Sequence, residues 1–292
     1  MTTLNLCKIR NFLLVLSASI LIDLSVAYGD NFDDLCTHVT SLSQSSFKET
    51  YLEEIKNLHT SPNGVVDPSL KYVFVLSGRG SYLKEPVDSA DVKDPADDYH
   101  RIELGINVAK QIVASHLEEG SPLTAEAIQK YGPIIVYNGR PKHNEDLRKA
   151  FHEGILTHYP EDKFRILDLD PSDWSTRGQF VSIKNELSLS NTSVAIVTHA
   201  YHAPRVKRMI GSKWHPFGPN TNVFFHLVDR DFKAPGIAED MLGEIDRIPR
   251  YIKNGDLAPH PFNQKTIEIL EYNTIVYYIK IKYYLCFRRL LC

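Results

Sequence analysis

Residues Ser193–Ile210 read SVAIVTHAYHAPRVKRMI. Val194–Val197 is a continuous apolar, largely β-branched run, the kind of segment that a strand buried on both faces requires. It gives way at once to Thr198 and His199. Pro204 then suits the first turn of a helix that carries Val206, Met209 and Ile210 at helical spacing. A strand that runs straight into a helix is half of a crossover unit, and the same pattern recurs along the chain. Upstream stand KYVFVLS (Lys71–Ser77), PIIVYN (Pro133–Asn138) and KFRILDLD (Lys163–Asp170). Each is followed by a helical pattern: YHRIELGINVAKQIVASHL (Tyr99–Leu117), NEDLRKAFHEGILTHY (Asn144–Tyr159) and STRGQFVSIKNELSL (Ser175–Leu189). Downstream comes one more strand pattern, TNVFFHLV (Thr221–Val228). The alternation predicts an α/β fold, a three-layer Rossmann-like sandwich around a mainly parallel sheet of about five strands, because each right-handed crossover lays its helix on one face of the sheet.

The rest of the 292 residues is organised around that alternation. Lys8 and Arg10 precede an apolar segment, Phe12–Ile22, and Ser25 and Ala27 follow it at cleavage-type positions, so residues 1–27 read as a signal peptide and the protein as exported. The destination is then the periplasm and cell envelope, or the outside of the cell. Residues 28–70 form a polar N-terminal lead-in with a helix around Ser46–Leu58, residues 71–230 the α/β domain, and residues 231–262 an extension with a helix over Ala238–Lys253. The tail, 263–292, is rich in Tyr and Ile, but Lys280 and Lys282 interrupt it. It reads as a packed edge element or an interfacial helix, the second of which brings contact with a membrane surface. A net charge of -3 provides no broad positive field, which excludes nonspecific nucleic-acid binding. Cys36, Cys286 and Cys292 would remain after cleavage, too few for a disulfide framework, and no Cys or His pair has zinc-site spacing. Asn191-Thr192-Ser193 is a glycosylation sequon. Oligomeric state is not legible.

In open parallel sheets ligands bind beyond the carboxyl ends of the strands, so the residues that follow each strand are the candidates. After the first come Gly78, Arg79 and Gly80, a turn whose backbone N–H groups and guanidinium suit an anion. After the second come Asn138, Gly139, Arg140 and His143, with Glu145 at the helix start. After the third, Ser172, Asp173 or Ser175 caps a helix whose first turn carries Thr176 and Gln179 at i, i+3 spacing. After the fourth, Thr198 and His199 end the strand, while His202 and Arg205, again three apart, share one helical face. His202 is the residue suited to acid–base work. No G-x-S-x-G elbow is present, so a nucleophilic serine is not indicated.

VFVLSGRG, Arg101 on the first helix, IIVYNGR with Glu145 following, STRGQ, and VTHAYHAPRV stand in an order that resembles the SanA/YdcF/ElyC-like domain-of-unknown-function family across about Lys71–Val228. That resemblance implies a Rossmann-like domain and, for signal-bearing members, a cell-envelope connection. It also implies a pocket lined by Gly78, Arg101, Glu145, Thr176, Gln179, His202 and Arg205. Gln179 stands where the family usually has asparagine. S-adenosylmethionine binding is implied through a cytoplasmic relative, yet that metabolite is cytosolic, so the cofactor is left unknown. The functional expectation is an anionic small molecule, nucleotide-like or phosphate-bearing, bound at the strand ends with or without acid–base catalysis. The alternative is a noncatalytic envelope or secreted interaction module.

Overall fold

A computed structural model describes residues 32–60, 66–78, 82–83, 97–187, 189, 192–217, 221–228, 236–261 and 268–270. The signal segment, Arg79 and Gly80, the sequon's Asn191 and all of the tail but 268–270 lie outside them. The strands are β1 (Tyr72–Val75), β2 (Ile134–Tyr137), β3 (Phe164–Ile166), β4 (Val194–His199), β5 (Val223–Val228) and β6 (Glu268–Leu270). The helices are α1 (residues 32–42), α2 (Lys48–Thr60), α3 (Asp97–Ser115), α4 (Ala125–Tyr131), α5 (Pro141–His152), α6 (Thr176–Glu186), α7 (Ala203–Ile210) and α8 (Ile237–Lys253). Every strand pair is parallel and the order is β3-β2-β1-β4-β5-β6. The expected strands are β1–β5, and β6, from the stretch read as the tail, adds a sixth at the edge of β5. Among the described residues no helix is long and apolar enough to cross a membrane.

Strand side chains alternate between two cores. Val194 and Ile196 of β4 point to the layer built by α1, α2, α6, α7 and α8, whereas Ala195 and Val197 point to the layer of α3, α4 and α5. Both faces are covered, which is why the strands are apolar without interruption. Gly105 lets α3 lie close on the sheet, since a Cβ there would stand 2.6 Å from Val75 Cγ2.

The segments read as a lead-in and an extension are built into the first of these cores. Phe32, Leu35, Val39, Tyr51 and Ile55 come from the former, and Ile237, Met241, Ile245, Ile248 and Leu257 from the latter. Three long-range bonds fasten α2 down: the Tyr51 hydroxyl donates to the Tyr201 carbonyl at 2.6 Å, and Arg208 of α7 makes paired 2.6 Å bonds to the Glu54 carboxylate. Helix α4 has no counterpart in the sequence reading; Thr124 caps it, accepting from the Ala127 N–H at 3.2 Å.

Candidate functional site

The strand order reverses between β1 and β4, so the crossover after β1 leaves on one face and the crossover into β4 arrives on the other. In doubly wound sheets such a reversal, beyond the carboxyl ends of the two strands, is the ligand position. Most of the residues predicted from sequence stand around it.

On the α6–α7 side the geometry is closed and specific. Ser175 caps α6, accepting from the Gly178 N–H at 3.3 Å, and Gly178 is needed because a Cβ would fall 1.9 Å from the Asp173 carbonyl. That cap directs Thr176 and Gln179 inward, where both are buried. Gln179 Nε2 donates to the Ser77 carbonyl at 3.0 Å, and the Asn138 amide donates to the Gln179 carbonyl at 2.8 Å. Gln179 thereby ties α6 to the end of β1, and Asn138 ties it to the end of β2. Gln179 Oε1 is a buried acceptor without a hydrogen-bond partner among the described residues.

His202 is held at both nitrogens: Nε2 lies 3.2 Å from Thr176 Oγ1 and Nδ1 lies 3.0 Å from Thr198 Oγ1. Arg205 donates to Thr176 Oγ1 at 2.9 Å and forms a two-pronged pair with Glu244 of α8, at 2.6 and 3.0 Å. Arg247 reaches the same carboxylate at 3.2 Å. Glu244 is almost completely buried, so much of the Arg205 charge is neutralised inside the protein. His199 is fully buried and stacks on Tyr201, with centroids 5.3 Å apart.

The α3–α5 side supplies what the sequence reading lacked. Asp98, in the first turn of α3, is fully buried and accepts from the Gly78 N–H and, at 2.6 Å, from the Tyr137 hydroxyl. Burial, then the neighbouring Asp98 charge, holds the Tyr137 phenol well above its ordinary value, which keeps it a donor. Arg101, one helical turn on, is buried and donates to the Leu76 carbonyl at 2.6 Å. His143 places Nδ1 3.2 Å from Asp98 Oδ2. Asn144 accepts from the Gly139 N–H at 2.9 Å and donates to the Leu167 carbonyl at 3.0 Å, which fixes the start of α5.

Two predicted residues stand apart. Glu145 is exposed on α5, turned away from the buried groups. Arg140 is exposed and rests on the Trp174 ring, 5.5 Å from its centroid. Asp98, Tyr137, Asn144 and Glu244 were missed. Asp98 had a signal, its i, i+3 spacing to Arg101, but the sequence reading starts that helix at Tyr99.

Fold and site together define a doubly wound α/β protein with a cluster of buried polar side chains at its switch point. No protein-family model, no curated protein and no solved structure matches the chain.

Proposed function

We propose that the chain is an exported, SanA/YdcF/ElyC-like protein that binds an anionic small molecule, nucleotide-like or phosphate-bearing, at the carboxyl ends of β1, β2 and β4. The observation that carries this reading is the meeting of buried polar groups from four strand-to-helix connections at the strand-order reversal: Asp98, Arg101, Asn138, Gln179, His199 and His202. Desolvating six such groups in one place is unfavourable unless they serve something, and most strand-to-helix turns need only a cap. The partnerless Gln179 Oε1 favours a ligand that carries a hydrogen-bond donor beside its negative charge, as a nucleotide or sugar phosphate does and fully ionised phosphate does not. Export rests on the first 27 residues, and a membrane-surface role for the tail on its composition alone. Since both nitrogens of His202 already meet threonine hydroxyls, any proton it exchanges passes through Thr176 or Thr198; this favours a binding module over a His202-driven reaction.

A melting panel tests the reading. Wild type, Arg205→Ala and the exposed Arg140→Ala are heated with nucleotides, S-adenosylmethionine, sugar phosphates, lipid phosphates and inorganic phosphate. A ligand that binds only the folded state raises Tm with concentration. The expected result is a rise with one phosphate-bearing class, reduced in Arg205→Ala and retained in Arg140→Ala, whose side chain stands apart from the buried groups. Well-folded wild type that responds to none of them overturns it.

A further inference from the structure

We propose that His143, oriented by Asp98, is the group that exchanges a proton with the bound ligand, an inference that rests on the binding reading above. Strands β1 and β2 are adjacent and parallel, so the helices that follow them, α3 and α5, begin at the same end of the sheet. That places the first-turn residues Asp98 and His143 side by side. Asp98 is anchored by the Gly78 N–H and the Tyr137 hydroxyl, and Oδ2 faces His143 Nδ1 at 3.2 Å. In this state the N–H direction is not aligned for a full hydrogen bond, and contacts of this kind tighten when a ligand arrives. In the proposed dyad the carboxylate favours the tautomer with the proton on Nδ1. Nε2, with its lone pair, is left on the open side of the ring, and the side chain retains 11% exposure.

The other buried histidines cannot do this directly. His202 is engaged at both nitrogens, and His199 and His226 are fully buried. The step balances simply. Nε2 takes a proton from a ligand O–H or N–H or from a water at the ligand, the imidazolium forms against the Asp98 carboxylate, and the proton returns to the atom that gave it up. The ligand class is therefore an anion that also carries an exchangeable proton, in agreement with the donor that Gln179 Oε1 calls for.

The test is carbethoxylation of the folded, full-length protein by diethyl pyrocarbonate at mildly alkaline pH, followed residue by residue by mass spectrometry. The reagent adds to an accessible imidazole nitrogen bearing a lone pair. His143 is expected to react about tenfold faster than His202 or His226, and Asp98→Asn to slow His143 severalfold while leaving His202 unchanged, because orientation by a third group is what activates such a nitrogen. His143 reacting no faster than His226, or at an unchanged rate in a folded Asp98→Asn variant, overturns the proposal. Should that variant not fold, the wild-type comparison decides alone. No ligand is present, so a negative result removes the dyad and leaves the binding reading to the melting panel.

Discussion

His226 lies in the middle of β5, fully buried on the side of α3, with neither ring nitrogen hydrogen-bonded among the described residues. Burial alone pushes its pKa from 6.5 down to about 3. The unfolded chain therefore binds more protons than the folded one between those values, so stability is complete above pH 6.5 and falls as the pH drops towards 3. The slope contributed is at most about 1.4 kcal/mol per pH unit. Urea titrations of wild type and His226→Leu across this window should show a flatter profile for the variant, whose neutral-pH stability is retained or improved because no polar group is left buried. Equal slopes would show that His226 is not the group responsible. At this scale the sequence was partly legible. Thr176, Gln179, His202 and Arg205 could be found because each follows a strand, whereas Glu244 could not: it reaches Arg205 from 39 positions away through helix packing that no local pattern records.

Among the elements, α6 shows how a short turn places chemistry. The cap at Ser175, the reach of Arg177 to Asp173 at 2.8 Å and the bare Cα of Gly178 together set the angle at which Thr176 and Gln179 enter the buried cluster. Gly178→Ala drives a methyl into the Asp173 backbone, not into a side chain that could move. It is expected to cost roughly 2–3 kcal/mol, the range of a forced overpacking, read as a lowered urea midpoint. A shift under a few tenths would mean that the turn relaxes freely. The strand positions β1–β5 and the helices α3, α5, α6 and α7 followed from periodicity, since a doubly covered strand and an amphipathic helix each write their period into the chain. Helix α4 was lost because seven residues with one buried side chain, Ile128, make too short a pattern to see.

The molecule as a whole is held by contacts between elements far apart in the sequence, α2 and α7 among them. Arg208 is almost fully enclosed and its guanidinium is satisfied mainly by Glu54, so Glu54→Gln, which removes that charge, is expected to lower stability by about 2–4 kcal/mol. The double replacement Glu54→Leu with Arg208→Met should recover much of the loss, because a matched apolar pair avoids burying charge. Denaturant midpoints of the three proteins check both statements, and a double variant no better than the single would refute the pairing argument. Sequence patterning had set residues 28–70 outside the α/β domain since their composition is polar. Their few apolar side chains, Val39, Tyr51 and Ile55 among them, nonetheless complete the core.

The same α2 anchorage bears on the birth of the chain. Tyr51 and Glu54 find their partners 150 and 154 positions later, at Tyr201 and Arg208. At translation speeds of roughly 5–20 residues per second, the finished α2 waits on the order of ten seconds before its seat has been synthesised. During that interval the ribosome displays an amphipathic helix with nothing to lean on, exposed to any factor that greets emerging polypeptides. A helix made early is thus among the last to be put away.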